Sequence, residues 1–536
     1  MGMELGKLEA VSYRDIRMSR YLVLFAFTLL PVNDVVAQDI PKNDPLLNRP
    51  RIKAAIDASN HDKTEKGVRL LRAVAASKRS TVSERYAAHA LLGIAALMDK
   101  KEAEAGREIG IAAKLFSSTG LPKDYWLQNA IAPYAEILRP SGGGKFAVTI
   151  RSASALKAVG VDPEALKTLA ADAEKSHSDS LVVWRDGKPL LEAHTGTAPR
   201  RMELASVTKS ISSSAVMLLL DDHKIDSIDQ PLSDFFPQWR NIPANAPETV
   251  RRRSHITLRH VLGHTSGIET EFSDGKIPMQ PNAFRYALES PVVTEPGQVF
   301  NYNNRAANLV SGLVRRITGL TLQAFLKKRI FDPLAIDDYF WMQDRAGNGY
   351  VYGGLSLRAN DLAKIGQLLL DGGVWQGRRL ISRDRIEQFT IRSSQARVSS
   401  CALFWWIDES NHLYRLNEAQ LAEWRKEGIS EKVLASLQVL RGKWLNHTDF
   451  EDMLRPNFSD YRVFGEWYKK SDWTKADRIA APDPDGFNGN GSLGQYLVVV
   501  PNSRLVVVRQ ISRFSHKSDA DDFPGFAARV QSLVHQ

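Results

Sequence analysis

Residues 203–220 read ELASVTKSISSSAVMLLL, a stretch that combines a helical pattern with two reactive side chains. Apolar residues recur at three-to-four-residue spacing from Val207 onward, which predicts a helix that begins near Ser206. Ser206 and Lys209 then lie one turn apart on the same helix face. This spacing places an amine beside a hydroxyl at the start of a helix.

That arrangement has two interpretations. A serine hydroxyl becomes a strong nucleophile when a neighbouring base takes its proton, and an amine can do so if its pKa is lowered. The N-terminus of the helix and burial both lower the pKa of Lys209. The free backbone N–H groups of the same turn can stabilise an oxyanion. Taken alone, however, S-x-x-K is common by chance and favours an N-capping serine with an exposed lysine.

Three further segments downstream decide between these interpretations. In order along the chain they are His264-Thr-Ser-Gly267, Tyr302-Asn303-Asn304 after Pro296-Gly297, and Tyr352-Gly-Gly-Leu355. With the S-x-x-K pair, they resemble the beta-lactamase-related serine hydrolases, which include class C beta-lactamases, penicillin-binding DD-peptidases, family VIII carboxylesterases and 6-aminohexanoate-dimer hydrolases. The resemblance covers roughly residues 165–515.

The resemblance implies a role for each matching residue. Ser206 is the implied nucleophile that forms an acyl-enzyme, and Lys209 is its implied proton partner. Tyr302 is implied to pass a proton to the leaving group, and a phenol needs a nearby cation to act as a base at neutral pH. Asn304 occupies the position that usually contacts the substrate amide. The backbone N–H of Ser206 is one implied oxyanion donor.

The stretch FNGNGSLGQYLVVV at residues 487–500 matches the third motif of this family by position. Its glycines also spell G-x-G-x-x-G, but a strand-like run follows them instead of a helix, which excludes a dinucleotide loop. The family's Lys-Thr-Gly has no equivalent lysine or threonine here. We expect a backbone N–H near Gly489 or Asn490, within about one residue, to be the second oxyanion donor.

The resemblance and the strand pattern together predict an α+β fold of the beta-lactamase/transpeptidase type. A strand, a D-G turn and a second strand over 181–193 match a hairpin over 496–509, so both ends of the domain contribute to one antiparallel sheet. Helical segments lie between them. Residues 165–536 are therefore assigned to a hydrolase domain, with a charged, Trp-containing insertion at about 410–480.

The residues before this domain have a different pattern. Alanine and leucine recur at helical spacing over 41–138, which predicts an all-α domain of paired helices. Such pairs resemble tetratricopeptide repeats, although no 34-residue repeat can be aligned. A Pro-Ser-Gly-Gly-Gly run at 140–144 marks a boundary, and residues 139–164 are expected to be a linker. We expect the helical domain to contact a protein or an anionic envelope polymer.

The N-terminus predicts export from the cell. Two arginines precede an apolar run at residues 21–30, and Ala37 closes a triplet of small residues that a signal peptidase can read. Residues 1–37 are therefore predicted to be a cleaved signal peptide, with translation starting at Met1 or Met18. The run is too short for a membrane span, so a periplasmic protein without a stable span is expected.

Composition limits the other classes of function. The formal net charge is +10, but the longest basic run is Arg251-Arg252-Arg253, and no nucleic-acid-binding motif is present, so no nucleic-acid partner is expected. The single cysteine, Cys401, cannot form an intramolecular disulfide and lies in an aromatic run typical of a core. His260 and His264 have the i, i+4 spacing of metal ligands. They lack an intervening glutamate and a third ligand, so no metal or other cofactor is expected.

The sequence therefore predicts a serine hydrolase that cleaves an amide or ester in a small-molecule or peptide-like substrate. The Lys-Thr pair of the third motif binds the carboxylate of penicillins and peptidoglycan stems in the family. Its absence disfavours a beta-lactamase or DD-peptidase, and favours the 6-aminohexanoate-dimer-hydrolase-like and esterase branches. A weakly active or inactive penicillin-recognising fold, used for binding or envelope assembly, is the alternative.

Overall fold

The computed structural model contains two compact units that divide the chain between residues 139 and 140. It describes residues 44–60, 64–98, 101–122, 127–128, 131, 134–135, 145–196, 198–271, 274–393, 400–408, 413–426, 429–445, 476–479, 486–523 and 525–534. The predicted signal peptide lies outside the described residues. Within the described residues, no helix combines the length and the apolar composition that a membrane span requires.

In the described part of the first unit, four helices between residues 50 and 116 each pack on the next along the chain. They are α1 (Pro50–Asn60), α2 (Thr64–Ala76), α3 (Val82–Met98) and α4 (Glu102–Phe116). Gly93 of α3 lies against Ile109 of α4, since a Cβ added at Gly93 would meet Ile109 Cγ1 at 2.3 Å, so the two helices approach closely there. His89 Nδ1 and Glu108 Oε2, 2.7 Å apart, form a polar contact between the same helices.

The second unit is built on a seven-stranded antiparallel sheet with the order β1-β3-β2-β14-β13-β12-β9. Its strands are β1 (Phe146–Ile150), β2 (Ser180–Arg185), β3 (Lys188–Thr195), β9 (Trp406–Asp408), β12 (Gly486–Gly491), β13 (Gln495–Val500) and β14 (Leu505–Gln510). Strand β2 from the start of the unit pairs with β14 from its end. This arrangement confirms the predicted α+β fold, with a sheet made from both ends of the domain.

Smaller strands and many helices complete the unit. The strands form three small sheets: β4 (Met202–Glu203), β5 (Phe340–Trp341) and β6 (Leu355–Leu357) in one, β7 (Val374–Trp375) and β8 (Arg378–Arg379) in another, and β10 (Leu413–Arg415) and β11 (Asp477–Ile479) in the third. The helices are α5 (Ala153–Ala158), α6 (Pro163–Lys175), α7 (Val207–Asp221), α8 (Pro237–Arg240), α9 (Glu248–Arg251), α10 (Leu258–Leu262), α11 (Ala283–Glu289), α12 (Asn304–Ala307), α13 (Leu309–Thr318), α14 (Leu322–Leu326), α15 (Ala359–Leu370), α16 (Arg383–Thr390), α17 (Glu418–Lys426), α18 (Glu431–Leu437) and α19 (Phe526–Gln531).

Both faces of the large sheet are covered. Val506 and Val508 of β14 face the core that contains α7 and α15, whereas Leu505 and Val507 face the core that contains α6 and α19. Successive side chains of a strand point to opposite faces, so a strand buried on both sides needs apolar residues at every position. This explains the unbroken apolar runs of β13 and β14, and it leaves α7 fixed against the sheet.

Part of the expected linker belongs to this unit. Strand β1 pairs with β3 in register from Phe146 opposite Thr195 to Ile150 opposite Leu191, and α5 follows within the range 139–164. Leu156 and Val161 are buried in the core beneath the sheet. The glycines at 142–144 mark the start of a new sequence pattern. They do not begin a linker that reaches residue 164, because β1 lies before the matched motifs in sequence and already belongs to the sheet.

The region expected as an insertion leaves the sheet after β9 and returns at β12. Strands β10 and β11 pair at its base, and α17 and α18 follow β10. These helices have a small apolar core of their own, which contains Leu416, Leu421, Trp424, Leu434, Leu437 and Leu440. Residues 446–475 lie outside the described part. The insertion thus joins the sheet through β9 and β12, two paired strands of which β12 carries the first part of the third motif.

The longest basic run folds onto its own chain. Arg251 donates to the carbonyl of Ala246 at 3.1 Å, and Arg253 Nε donates to the carbonyl of Ser290 at 3.2 Å. Arg252 Nε pairs with a carboxylate oxygen of Glu295 at 3.1 Å. All three guanidinium groups of the run therefore hold the surrounding loops together.

Candidate active site

The first turn of α7 places the predicted nucleophile. Ser206 is the N-cap residue of α7, and its side chain does not cap the helix, so the hydroxyl is available to other groups. Ala205, just before it, has φ of 46°, in the left-handed region that non-glycine residues rarely adopt. A non-glycine residue in such a conformation costs about 1–3 kcal/mol and is held there by its surroundings. The turn therefore exposes Ser206 at some conformational cost.

Lys209 reaches back to Ser206 as the spacing predicts. Its Nζ donates to Ser206 Oγ at 3.1 Å and to the carbonyl of Tyr352 at 2.9 Å. The lysine is only 2% exposed, and burial lowers its pKa well below the usual range, although the nearby charge of Glu203 opposes that shift. A neutral amine 3.1 Å from the hydroxyl can accept its proton.

Tyr302 completes the group from a distant segment. Its hydroxyl hydrogen-bonds with Ser206, and its ring centroid lies 4.7 Å from Lys209 Nζ. Burial raises the pKa of Tyr302, and the hydrogen bond with Ser206 opposes the shift. The phenol is therefore neutral at ordinary pH and able to donate a proton. A neutral phenol differs from the expectation drawn from the sequence, in which a nearby lysine cation makes the phenol basic.

A narrow pocket surrounds the three groups. It is lined by Ser206, Lys209, Ser210, His264, Tyr302, Cys401, Phe404, Trp405, Trp406 and Asn490. Trp406 stacks on Tyr302 with ring centroids 6.4 Å apart and an angle of 16° between the planes. Aromatic rings thus form much of the wall. Among these lining residues, the nitrogen bases are Lys209 and His264.

His264 is a pocket residue whose position the sequence did not indicate. Its carbonyl accepts from Asn301 N at 2.8 Å and its Nδ1 accepts from Asn303 N at 3.1 Å. Its ring lies 4.3 Å from that of Tyr302. Because the hydrogen bonds flank Tyr302 on both sides, His264 holds the loop that carries the phenol. The H-T-S-G motif was the available signal, although motif matching alone assigns it no contact.

The histidine pair does not converge on a metal site. His260 Nδ1 accepts from Thr257 N at 3.2 Å as part of the cap of α10, whereas His264 Nδ1 is occupied by Asn303 N. In the part of the chain that the structure describes, no group of three potential ligands is close enough to hold a metal.

The third motif lies against the first turn of α7. It forms β12 and β13 joined by a tight turn, so its glycines sit in a hairpin and do not precede a helix. Asn490 lines the pocket, whereas a Cβ on Gly489 would meet Ser210 Oγ at 2.8 Å. A Cβ on Gly491 would lie 2.9 Å from Ser206 N. Gly491 is thus the strand residue that lies against Ser206, one residue beyond Asn490 and within the range predicted for the oxyanion donor. The signal available in the sequence was a pair of glycines at alternate strand positions, which is typical of a strand that another backbone approaches closely.

Asn304 is placed differently from the other predicted residues. It opens α12 and is not among the residues that line the pocket. Its Oδ1 is buried and has no hydrogen-bond partner among the described residues. Asn303 instead uses its side chain locally, donating to the carbonyl of Ile268 at 2.7 Å and accepting from Ala306 N. Contact between Asn304 and a substrate therefore stays a prediction.

A family model described as Beta-lactamase matches residues 166–528, more than half of the chain. The chain belongs to the beta-lactamase family. This membership confirms the resemblance drawn from the four motifs. The match begins at α6 and spans the large sheet, the candidate nucleophile and the third motif.

Individual relatives within the family are distant. A 6-aminohexanoate-dimer hydrolase from Paenarthrobacter ureafaciens is 28% identical over 241 residues, which are 42% of this chain and 60% of the relative. A monacolin J acid methylbutanoyltransferase from Aspergillus terreus is 30% identical over 165 residues, 26% of this chain and 38% of the relative. The chain thus spans less than two thirds of the curated relatives it matches.

Solved structures of low sequence identity are also similar to the chain. A penicillin-binding protein homologue from Caulobacter crescentus is 14% identical, with a TM-score of 0.44, and the match covers 72% of this chain and all of that one.

Replacing Gly491 by alanine should lower kcat/KM about 100-fold without unfolding the protein. The new Cβ would lie 2.5 Å from the carbonyl oxygen of Leu204 and 2.9 Å from Ser206 N, both of which are backbone atoms. The strand must then move away from the nucleophile, and misplacement by about 1 Å can cost about 100-fold. Ester turnover and thermal unfolding measure the two effects.

Gly275→Ala is the matched control for this change. A Cβ at Gly275 meets nothing within 4 Å, and its φ lies outside the left-handed region. Its kcat/KM should stay within about twofold of the unsubstituted protein, as for most surface changes. Full activity in the Gly491→Ala protein would contradict a close packing of β12 on the nucleophile.

Proposed function

We propose that the chain is a serine hydrolase that cleaves an amide or ester through an acyl-enzyme on Ser206. The observation that carries the proposal is the 3.1 Å contact between Lys209 Nζ and Ser206 Oγ. It joins a hydroxyl to an amine whose pKa burial lowers. Family membership supports the same assignment, since the two relatives described above are a hydrolase and an acyl transferase by name.

The proposed reaction has two halves. In the first, Ser206 Oγ attacks the carbonyl carbon while its proton passes to the neutral Lys209 amine. The tetrahedral oxyanion accepts hydrogen bonds from backbone N–H groups of Ser206 and the adjacent β12 strand. The C–N or C–O bond then breaks, and the leaving group takes a proton from Tyr302, which is restored by Lys209.

In the second half, water attacks the acyl carbon. Its proton passes to the same lysine and tyrosine pair, the bond to Ser206 Oγ breaks, and the hydroxyl recovers its proton. Each group therefore returns to its starting state, and the products are a carboxylic acid and an amine or alcohol.

We further propose that the acyl donor lacks a carboxylate beside the scissile bond. The third-motif residues Asn488, Gly489 and Asn490 provide no cation, and the basic pocket groups Lys209 and His264 are both engaged with protein atoms. The aromatic wall favours an uncharged, apolar acyl or leaving group. The methylbutanoyl group in the name of the Aspergillus terreus relative is an uncharged, apolar acyl group and is compatible with this class.

A matched pair of esters tests both parts of the proposal. Phenyl phenylacetate and its 3-carboxyphenyl analogue differ by one carboxylate on the leaving group. We expect turnover of the neutral ester and no gain in kcat/KM, beyond about twofold, from the carboxylate. A cation that binds it would give about tenfold or more, because a hydrogen bond to a charged group contributes about 1.5–3 kcal/mol.

The outcomes separate the alternatives. Preference for the carboxylate ester would overturn the substrate class and leave the acyl-enzyme intact. The absence of turnover of both esters, together with no labelling by a fluorophosphonate, would favour the binding or envelope-assembly module.

The site of action is part of the same proposal. We propose that the enzyme works in the periplasm after cleavage of residues 1–37, because the apolar run at 21–30 and the small residues ending at Ala37 match an export signal. The helical unit is proposed to contact a protein or an anionic envelope polymer. Fractionation of cells that express the full chain, followed by N-terminal sequencing, tests the location.

A further inference from the structure

Glu203 is a carboxylate beside the site that the proposed reaction does not use. It ends β4 and pairs with Ser356 of β6, three residues before the nucleophile. Its Oε1 accepts from Gly354 N at 2.8 Å, and the carboxylate also accepts from the backbone N–H of Ala205. A half-buried carboxylate that accepts two backbone hydrogen bonds is firmly held.

These two hydrogen bonds connect the backbone segments on either side of Lys209. One goes to Ala205, whose left-handed conformation exposes Ser206. The other goes to Gly354, two residues after Tyr352, whose carbonyl accepts from Lys209 Nζ. Glu203 thus fixes both the turn that carries the nucleophile and the loop that holds the base.

The charges of Glu203 and Lys209 also act on each other. The carboxylate raises the pKa of Lys209 and opposes the effect of burial. Burial raises the pKa of Glu203, and the charges of Arg513 and Lys209 oppose that effect. Among the described residues, the other groups in contact with Lys209 Nζ are the Ser206 hydroxyl, the Tyr302 ring and the Tyr352 carbonyl, which are neutral. Glu203 is therefore the negative charge that acts on the amine.

We propose that Glu203 is a positioning residue that acts through Lys209, holding the Ala205 turn and the 352–354 loop in place and stabilising the ammonium form of the base. The inference rests on the proposed function of Lys209. It means that the carboxylate sets the pH at which the amine becomes able to take the Ser206 proton. The Glu203 side chain thus provides both the hydrogen bonds that position the backbone and the charge that acts on Lys209.

The pH dependence of kcat/KM for phenyl phenylacetate, measured for the unsubstituted protein and Glu203→Gln, tests this role. The amide keeps an oxygen that can accept from Gly354 N but removes the charge. Since an anion raises the pKa of a nearby amine, its removal lowers the pKa of Lys209. The acidic limb of the profile should therefore move down by about one pH unit or more.

A second variant guards against a loss of folding. Glu203→Asp keeps the charge with a shorter reach. The acidic limb of its pH profile should therefore lie closer to that of the unsubstituted protein than the limb of Glu203→Gln does. Its plateau value of kcat/KM should fall. Glu192→Gln is the control, because Glu192 also accepts a side-chain hydrogen bond, from Asn360, and does not line the pocket. Its limb and plateau should be unchanged.

Two results would overturn the inference. A limb that stays in place or moves up in Glu203→Gln excludes the electrostatic role, and a plateau unchanged in both variants excludes the positioning role. Ser206→Ala separates this failure from that of the proposed function. If that variant is inactive while Glu203→Gln keeps the original limb, only the role of Glu203 is wrong.

Discussion

Ser206→Ala should abolish labelling by a fluorophosphonate probe and lower kcat/KM for phenyl phenylacetate by about 10⁴-fold or more. The probe bonds covalently to the hydroxyl oxygen that alanine lacks, and loss of a serine nucleophile in other hydrolases costs up to about 10⁶-fold in kcat. Fluorescence of the labelled protein after denaturing electrophoresis measures the first effect, and initial rates measure the second. Intact-protein mass spectrometry would show the adduct mass directly.

The fold should tolerate this change, because the Ser206 side chain does not cap α7. Ser254→Ala is a suitable control, since that hydroxyl donates to the carbonyl of Arg251 outside the pocket. It should label at the unsubstituted rate. Labelling that persists in Ser206→Ala and maps to another residue, such as Ser210, would refute the assignment of the nucleophile.

Lys209→Met and Lys209→Arg should each lower kcat/KM by about 10³-fold. Methionine fills a similar volume but cannot accept a proton, whereas arginine remains charged at every accessible pH. General base catalysis contributes about 10²–10⁴-fold, which sets the expected size of the loss. Both proteins should still bind inhibitors that do not acylate Ser206, which calorimetry can measure.

The pH dependence of kcat/KM in the unsubstituted protein should follow the titration of Lys209. The base acts in its neutral form, so the rate rises with pH as Lys209 loses its proton. Because burial lowers the pKa of Lys209 well below the usual range, the plateau should be reached far below the pH at which an exposed lysine titrates. A limb near pH 10.4, where an exposed lysine titrates, would show that the pKa of Lys209 is not lowered in the folded protein.

Lys364→Met provides the control for the lysine variants. Lys364 lies on α15 and pairs with Asp361 at 2.8 Å, away from the lining of the pocket. Its kcat/KM should stay within about twofold. If Lys209→Met retained more than about a tenth of the activity, another group would have to take the proton from Ser206.

The sequence predicted the fold because several independent patterns agreed. Apolar runs at both ends of the domain predicted strands, and the pairing of β2 with β14 confirms that they belong to one sheet. The order of the motifs predicted the family, which the match over 166–528 confirms. The start of the sheet was less clear, because β1 has little apolar alternation and is an edge strand with exposed residues such as Val148.

The candidate site was predictable in proportion to how local its contacts are. Ser206 and Lys209 are neighbours on one helical turn, so their spacing alone places them together. By contrast, the contacts of Gly491 with Leu204 and Ser206 depend on how β12 packs against α7. No periodicity in either segment contains that information, since packing between distant segments sets it.

The sequence by itself determined the family, the sheet built from both ends of the domain, and the adjacency of the serine and the lysine. Local geometry suffices for the adjacency of the serine and the lysine, because the helix period is a property of consecutive residues, whereas the family and the sheet followed from the order of motifs and strand-like runs along the chain. The tertiary structure decided the chemical state of the site. Lys209 is buried and held by the distant Tyr352 carbonyl, and Glu203 accepts from Gly354 N just before β6. Desolvation and charge act through space, so the lowered pKa of Lys209 on which the proposed reaction depends arises only in the folded protein.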